Sequence, residues 1–449
     1  MRTKFKAYTS KNFHDIEQLK NLSPGILLRM EAVAKVLPFR TNNYITNNLI
    51  NWNNIPEDPI FQLTFPQPEM LNDTDLQRVI KLMQEDKDKL NKEVRRIQME
   101  MNPQPAGQLE LNTPSHEGNK ISGIQHKYKE TVLFFPEQGQ TCHAYCTYCF
   151  RWAQFIGIDE LKMATRESRG LINYLNNNPK VTDLLITGGD PMIMKTKLLR
   201  RYIEDIIKSK PGGLKNIRIG TKALSYWPYR FTEDEDSDDL ISLFEEIIAA
   251  GFHLTVMAHF THPVEMETPE VHKAVDRILS TGATIRCQSP VLKHINDDAD
   301  LWVEMWSKQV TMGMIPYYMF VARDTGPKGY FNLPLEETYE IFSSAFSRVS
   351  GLARTVRGPS MSTKSGKILV DGILKRDSHK YFILKYIQSR TPEMVNRIFL
   401  AKYNPAAVWI DDLEPASKAD ELFFSFGEKH MHLDEDISDD DFDDEYAFA

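Results

Sequence analysis

The spacing of apolar and polar positions changes along the chain, and the change separates a helical region from a region of alternating strands and helices. Over residues 73–99, apolar residues recur near helical spacing among charged ones, and the pattern stops before Asn102-Pro103. This periodicity predicts an N-terminal helical region that covers residues 1–105. A polar stretch over residues 103–119 contains proline, glycine, asparagine and serine, so it predicts a loop leading into the next region.

After this loop, short apolar runs alternate with longer amphipathic segments. The runs predict buried strands at 132–135, 181–187, 217–219, 253–258, 283–287 and 315–321. The segments between them predict helices that include 197–209, 239–250, 269–280 and 299–312. This alternation indicates an α/β fold with a parallel sheet and right-handed crossovers. Over residues 371–433 the pattern weakens, which predicts an appended helical and extended region.

Three of the four cysteines lie in one short run, as Cys142, Cys146 and Cys149. Thiolates at this spacing can converge on one iron–sulfur cube and leave one iron open for a small molecule, which implies chemistry at that iron. The alternatives are buried cysteines without a ligand, or a zinc site, which would need a fourth ligand at a regular spacing, and only the neighbouring His143 is at hand. The fourth cysteine, Cys287, ends a predicted strand and is expected to be a small buried residue.

Composition and charge narrow the class of protein. With 41% hydrophobic and 26% charged residues, the chain has an ordinary globular composition and can bury a large core. Apolar stretches fall short of the roughly 18 residues of a membrane helix, and the first residues lack the apolar run of a secretory signal. We therefore expect a cytoplasmic protein. Low cysteine usage fits the same reducing compartment.

The formal charge of −8 depends on the last residues of the chain. Residues 434–445 hold nine acidic residues and no lysine or arginine, and without them the charge is about +1. No strong basic patch stands out, so nucleic-acid binding is not suggested. The segment 434–449 predicts a disordered, solubilising tail, with a tail that docks on a partner as the alternative.

The order of several short segments resembles the radical S-adenosylmethionine (SAM) enzymes, and among them the lysine 2,3-aminomutase family. The similarity runs from about His126 to about Lys367. The segments are 126–134, the cysteine loop followed by Arg151, Thr187-Gly-Gly-Asp-Pro191, Arg218-Ile-Gly-Thr221, 259–265, Gln288-Ser289, Asn296-Asp297, Pro316-Tyr-Tyr318 and Gly366-Lys367. The resemblance implies that residues 106–370 form a partial (β/α)₆ barrel, whose active residues lie at the carboxyl ends of its strands.

The resemblance also implies how the cluster and SAM are held. The three cysteines would bind a [4Fe–4S] cluster, and the amino and carboxylate groups of SAM would chelate the open iron. Four residues at strand ends would lie at SAM, namely Gly188, Gly189, Asp190 and Gln288. Taken alone, a Gly-Gly pair after a strand is more often a turn, although it does allow close approach to the backbone. His259 and His262 are interpreted as polar lining of the pocket, without zinc.

A second cofactor, pyridoxal 5′-phosphate (PLP), is implied by the same resemblance. The family holds it on a lysine in a glycine-rich stretch after the last strand, with Lys127 and Tyr128 matching the positions at its phosphate. Counting from Pro359 without a gap selects Lys364, whereas the Gly-Lys-apolar context selects Lys367, which we predict. The stretch has fewer glycines than the family pattern. The alternative is a surface loop with two solvated lysines.

Substrate recognition departs from the family. Arg151 matches the arginine that pairs with the substrate α-carboxylate. The two aspartates that hold the distal ammonium of lysine align with Arg323 and Arg357, so two anions are replaced by two cations. A pocket of this kind favours an acidic amino acid such as glutamate over lysine. The alternative is that Arg323 pairs with Asp324 and Arg357 points to solvent.

The sequence therefore predicts a PLP-dependent radical SAM 2,3-aminomutase, an isomerase that moves nitrogen from C2 to C3 of an amino acid. The resemblance implies an electron donor such as flavodoxin or ferredoxin, and it leaves room for a homo-oligomer. Two other interpretations remain open at this point. One is a radical SAM enzyme without PLP that performs another hydrogen abstraction, and the other is a non-enzymatic iron–sulfur regulatory protein.

Overall fold

The structure, a computed structural model, describes residues 3–102, 112–116, 119–157, 163–389 and 391–429. The predicted acidic tail at 434–449 lies outside the described residues. Most of the predicted loop at 103–119 lies outside them as well. Within its described part, Ser115–His116 and Asn119–Lys120 form a short antiparallel pair of strands.

The N-terminal region is helical, as its apolar periodicity predicts. One antiparallel pair of short strands, β1 and β2, joins its start to the end of the first helix. Asn72 and Asp86 cap the two helices of the predicted 73–99 segment, and the extended backbone of Asp86 separates them. The elements are β1 (Ala7–Thr9), α1 (Pro24–Val36), β2 (Arg40–Asn42), α2 (Asn43–Asn48), α3 (Pro59–Thr64), α4 (Asp73–Glu85) and α5 (Lys87–Glu100).

An 11-stranded sheet follows, in which each strand pairs with its neighbours in the sequence. The strands from β6 to β12 are parallel, while β5 and the strands from β13 to β15 are antiparallel additions at the two ends. The strands are β3 (Ser115–His116), β4 (Asn119–Lys120), β5 (Ile124–Tyr128), β6 (Thr131–Phe134), β7 (Asp183–Ile186), β8 (Asn216–Thr221), β9 (His253–His259), β10 (Thr284–Val291), β11 (Ile315–Val321), β12 (Arg357–Ser362), β13 (Gly366–Arg376), β14 (His379–Ser389) and β15 (Ile398–Lys402).

Helices connect the parallel strands, which confirms the predicted α/β alternation. Local sequence sets their ends: Thr268 Oγ1 accepts a hydrogen bond from Val271 N, and Pro269 follows as the first helical residue of α10. The helices are α6 (Arg169–Asn177), α7 (Thr196–Ser209), α8 (Ala223–Tyr226), α9 (Ser237–Ala249), α10 (Pro269–Ser280), α11 (Ala299–Thr311), α12 (Lys328–Phe331), α13 (Leu335–Arg348) and α14 (Lys418–Lys429).

The sheet extends further than the apolar runs predicted. Strand β12 adds a seventh parallel strand, and β13 to β15 continue from it. Strand β13 spans Gly366–Arg376, so it crosses the predicted boundary at residue 370. Closure of the parallel strands into a partial barrel remains a prediction.

Three apolar cores hold these layers together. The largest lies between the parallel strands and their helices. The second joins the N-terminal helices to the cysteine loop, and it includes Phe61, Trp152 and Trp227, each almost fully buried. The third lies under β13 to β15. None of the helices described is long and apolar enough to span a membrane.

Candidate active site

One cavity of about 710 Å³ opens at the carboxyl ends of the parallel strands. Consecutive strands each contribute a residue near their carboxyl ends to its wall: Thr187, Thr221, His259, Gln288, Arg323 and Ser362. Because parallel strands all end on the same edge of the sheet, side chains far apart in sequence meet there. This arrangement matches the expected place of the active residues.

The three cysteines of the loop all line this cavity. The N-terminal region holds the loop through its backbone: Tyr145 N donates to Arg40 O at 2.8 Å, and Thr147 N donates to Leu63 O at 2.9 Å. Asn42 Nδ2 donates to His143 O at 3.2 Å. The N-terminal helices therefore fix the shape of the loop, a role that the sequence alone did not indicate.

The three cavity cysteines are the candidate ligands of the predicted cluster. All four cysteines are free thiols. Within the described ranges, no three His, Cys, Asp or Glu side chains surround a common metal position. Burial raises the pKa of the three cavity thiols, that of Cys149 to about 12. They are therefore protonated in the metal-free chain, and binding of iron would displace these protons.

Cys287 and His143 differ from the three cysteines of the loop in their surroundings. Cys287 is 2% exposed and its Sγ lies 3.7 Å from Met314 Sδ, which confirms that it is a buried residue of the sheet. His143 lines the cavity but packs edge-on against Phe5, with ring centroids 5.7 Å apart. Burial lowers the pKa of His143 to about 3, so this ring is neutral.

The Gly-Gly pair after β7 lies against the cysteine loop. A Cβ on Gly188 would lie 2.2 Å from Gln140 Nε2, and a Cβ on Gly189 would lie 2.5–2.7 Å from backbone atoms of Thr141. Gly188 also has a backbone φ of +145°, which residues other than glycine rarely adopt. The pair therefore allows the loop to approach the strand end, and both residues line the cavity where SAM binding was predicted.

Gly189→Ala is expected to lower the free energy of unfolding by about 1–3 kcal/mol, because the added methyl would force the Thr141 backbone to move. Denaturant unfolding of the purified variant measures this loss. Gly212→Ala is the matched control, since nothing lies within 4 Å of the Cβ position of Gly212. Equal stabilities of the two variants would contradict the close packing.

Asp190 is predicted at SAM, yet the protein itself satisfies its carboxylate. Thr221 Oγ1 donates to both oxygens at 2.7 and 2.9 Å, and the amides of Met192 and Lys222 donate at 2.9 Å each. Burial raises the pKa of Asp190 to about 6, although these bonds favour its charged form. Asp190 thus ties the end of β7 to the end of β8 and shapes the cavity wall.

Gln288 and His259 form a pair in the cavity wall. Their Nε2 atoms lie 2.7 Å apart. Burial, together with the positive charge of Lys222, lowers the pKa of His259 to about 3, so a neutral ring accepts from the amide. His262 lies apart: its Nδ1 accepts from Val264 N at 3.3 Å, and it is not among the described residues that line the cavity.

The two candidate lysines differ in their surroundings. Lys367 lies in β13 with 8% exposure, and its Nζ lies 3.8 Å from the centroid of the Tyr318 ring. Lys364 is exposed in the turn before β13, although it also lines the cavity. Tyr128 is buried in the same wall. The side chain of Lys127, predicted at the PLP phosphate, lies outside the described residues.

Two arginines face the cavity beside Phe150. The guanidinium of Arg151 lies 5.3 Å from the Phe150 centroid and that of Arg323 lies 4.7 Å from it. Arg323 Nη2 donates to Ser362 O at 3.0 Å, so this arginine does not form the alternative pair with Asp324. Burial lowers the pKa of both arginines, that of Arg151 to about 10, and both remain charged at neutral pH.

Arg357 is placed elsewhere. Its guanidinium lies 4.3 and 4.4 Å from the ring centroids of Tyr317 and Tyr318 in β11, so it stacks on aromatic rings. In the described part of the chain, Arg357 is not among the residues that line the cavity. The structure therefore brings Arg151 and Arg323 together, but not Arg357.

Sequence reasoning missed three polar residues beside the cysteine loop: Lys222, Tyr226 and Glu265. Lys222 Nζ lies 2.6 Å from Glu265 Oε1, and the side chain of Glu265 is fully buried. A signal was present, since Lys222 directly follows the Arg218-Ile-Gly-Thr221 segment and Glu265 closes the 259–265 segment. A charged residue just after a buried strand is a candidate for the site at that edge.

The chain is similar to proteins of known name. No family model matches it. It is 33% identical over 399 residues to a "Putative L-lysine 2,3-aminomutase" of Aquifex aeolicus, which covers 89% of this chain and 93% of that protein. It is 26% identical over 333 residues to the L-lysine 2,3-aminomutase of Bacillus subtilis, with 67% of each covered. The structure of Streptococcus suis SuiB bound to S-adenosylmethionine aligns with a TM-score of 0.34 and 12% identity over 62% of each chain.

Proposed function

The chain belongs to the lysine 2,3-aminomutase family of radical SAM enzymes, and we propose that it moves the amino group of an acidic amino acid from C2 to C3. The family works with a [4Fe–4S] cluster, SAM and PLP. One observation supports the proposal most: three cysteines, a buried lysine and two arginines line a single cavity. When bound, the three groups supply electron transfer, hydrogen abstraction and a carrier for the migrating amine.

Cys142, Cys146 and Cys149 would hold the cluster. The cavity continues from them past the Gly188-Gly189 backbone to the Gln288–His259 pair, and this wall would hold SAM. Because the carboxylate of Asp190 accepts hydrogen bonds from Thr221 and from backbone amides, Asp190 would position this wall. The protein contributes shape and orientation here, and placing the reacting groups deep in the cavity would limit the water that quenches reactive species.

Lys367 would hold PLP. Its buried place beside Tyr318 and Tyr128 holds the amine at a fixed position in the cavity wall, where a bound cofactor could reach it. The exposed Lys364 lacks that environment. Lys367 faces Gln388 of β14 across the strand pair, and both residues line the cavity. The rigid sheet therefore fixes the position of the amine, which a surface loop would not.

Borohydride reduction of the PLP-loaded protein is expected to label Lys367, because a reduced adduct cannot leave the lysine that carries it. Peptide mass analysis after digestion identifies the modified residue. Lys367→Ala should remove the label, and Lys364→Ala, the matched control three residues away, should retain it. A label on Lys364 would correct the register, and no label at all would favour a radical SAM enzyme that works without PLP.

The substrate would be held through its negative groups. Arg151 would bind the α-carboxylate and Arg323 a second anion on the substrate side chain. Among the described side chains, neither arginine forms an ion pair with a carboxylate, although Asp324 of the same cavity lies near enough to act on the pKa of Arg323. Two buried cations so close together repel each other. Burial is the main cause of the lowered pKa of Arg151, and the positive charge of Arg323 lowers this pKa further. A dianionic substrate relieves this repulsion, whereas the ammonium of lysine adds to it.

The test is a panel of the common amino acids with the reconstituted enzyme. Release of deoxyadenosine and formation of a β-amino product would be measured for each. We expect glutamate or aspartate to be converted and lysine to be rejected. Good turnover of lysine, with neither acidic amino acid converted, would overturn the proposed substrate. An electron donor such as flavodoxin or ferredoxin and assembly into a homo-oligomer belong to the same proposal.

A further inference from the structure

A buried polar network contacts the middle cysteine of the loop. Lys222 Nζ donates to Glu265 Oε1 at 2.6 Å and to Thr261 Oγ1 at 3.0 Å. Glu265 accepts further bonds from Ser225 Oγ at 2.5 Å and from His262 N at 3.1 Å. The charges of Lys222 and Glu265 thus compensate each other inside the protein. None of these contacts is needed for the roles assigned above.

Tyr226 connects this network to Cys146. Its hydroxyl lies 3.5 Å from Cys146 Sγ, and its ring lies under Lys222, with Nζ 4.5 Å from the centroid. Tyr226 is 1% exposed, and its carbonyl accepts from Asn42 Nδ2 at 3.0 Å. The hydroxyl is therefore fixed at the sulfur by the surrounding protein.

The direction of this hydrogen bond depends on the state of the sulfur. In the metal-free chain the Cys146 thiol donates to Tyr226 Oη. A cysteine that binds iron is a thiolate without a proton. A tyrosine hydroxyl keeps its proton at neutral pH. With iron bound, the Tyr226 hydroxyl must therefore be the donor and the Cys146 sulfur the acceptor.

We propose that Tyr226 tunes the iron–sulfur cluster by donating a hydrogen bond to the Cys146 thiolate, which raises the cluster's reduction potential. Reduction places one more negative charge on the cluster and its sulfurs, and a hydrogen bond becomes stronger as its acceptor becomes more negative. The donor thus stabilises the reduced form more than the oxidised form. This inference rests on the proposed role of Cys146 as a cluster ligand.

The test compares wild-type and Tyr226→Phe proteins, both reconstituted anaerobically. Phenylalanine keeps the buried ring and removes only the hydroxyl. We expect equal iron content, but an about tenfold lower ratio of reduced to oxidised cluster at a fixed potential, which corresponds to a midpoint about 59 mV more negative. A redox titration followed by electron paramagnetic resonance measures this ratio. Tyr44→Phe is the matched control: Tyr44 is also 1% exposed, and its hydroxyl bonds to Thr268 Oγ1 at 2.6 Å.

Each outcome separates this inference from the proposed function. If wild-type protein binds no four-iron cluster, the proposed function fails. If Tyr226→Phe holds full iron at the wild-type potential, only the role of Tyr226 is overturned. If Tyr226→Phe does not hold the cluster, electron–nuclear double resonance of the reduced wild-type protein decides. A coupled proton that exchanges in D₂O supports the hydrogen bond, and its absence contradicts it.

Discussion

Replacing Cys142, Cys146 and Cys149 together by alanine is expected to abolish iron binding. The wild-type chain should hold about four irons after anaerobic reconstitution, whereas the triple variant should hold almost none, because no other thiol lines the cavity in the described part of the chain. Iron and sulfide analysis, with the absorbance of the purified protein, measures the difference. SAM cleavage should be lost with the iron.

Cys287→Ala is the control for this experiment. Cys287 is the fourth free thiol, but it contacts Met314 inside the sheet. Its replacement should leave the iron content unchanged, at the cost of a small cavity in the core. About four irons per chain in the triple variant would show that other residues supply the ligands, and the assignment of the site would then be wrong.

Arg323→Ala is expected to lower kcat/KM for an acidic substrate by roughly 10²-fold or more, because a buried charge on the substrate would lose its partner. Arg151→Ala should have a similar effect, since both guanidinium groups line the cavity beside Phe150. Steady-state assays with glutamate and aspartate measure the loss. Binding of PLP, followed by its absorbance change and adduct mass, should remain.

Arg357→Met tests whether the sequence alignment or the structure places Arg357 correctly. The alignment gives Arg357 the same role as Arg323, but the structure stacks it on Tyr317 and Tyr318 outside the wall. We therefore expect Arg357→Met to change kcat/KM much less than Arg323→Ala. Equal losses in the two variants would show that Arg357 reaches the substrate. No loss in Arg323→Ala would remove the physical basis for an acidic substrate.

The two arginines also show how the environment selects a ligand. In water a neighbouring cation about 4 Å away costs a guanidinium only about 1 kcal/mol, but burial lowers the pKa of Arg151 because its charge is poorly solvated. An anion that enters the cavity replaces the missing solvation. The proposed preference for an acidic substrate therefore rests on where the guanidinium groups lie, and their presence in the sequence alone would not support it.

Much of the fold followed from local patterns. The apolar runs identified six parallel strands, and the strand Ile315–Val321 and the helix Pro269–Ser280 have the predicted bounds. Residues close together in the sequence define these elements. A capping threonine and a proline set the start of the helix, and alternating apolar residues indicate the strand. The seventh parallel strand, β12, was not predicted, and the antiparallel strands from β13 to β15 were expected only as part of an extended region over residues 371–433. Strands β14 and β15 bury largely one face, which gives a weaker apolar signal.

Candidate residues followed from motifs with a fixed chemical spacing. The cysteine run, the Gly-Gly pair and Gln288 all line the cavity, because each lies within or just after an element that the sequence itself defines. The choice between Lys364 and Lys367 was different. Three residues along a strand and a turn change a solvated amine into a buried one, and only the packing of β13 against its neighbours separates them.

By itself, the sequence determined the α/β alternation and the family, and it supplied the cysteines proposed to hold the cluster, since these depend on residues close together in the chain. Only the tertiary structure decided that Arg323 faces the cavity while Arg357 stacks on tyrosines. It also brought Tyr226, 80 residues away in the sequence, to Cys146. Such contacts join separate strand ends through the closure of long loops, and no local pattern of residues records which side chains will meet there.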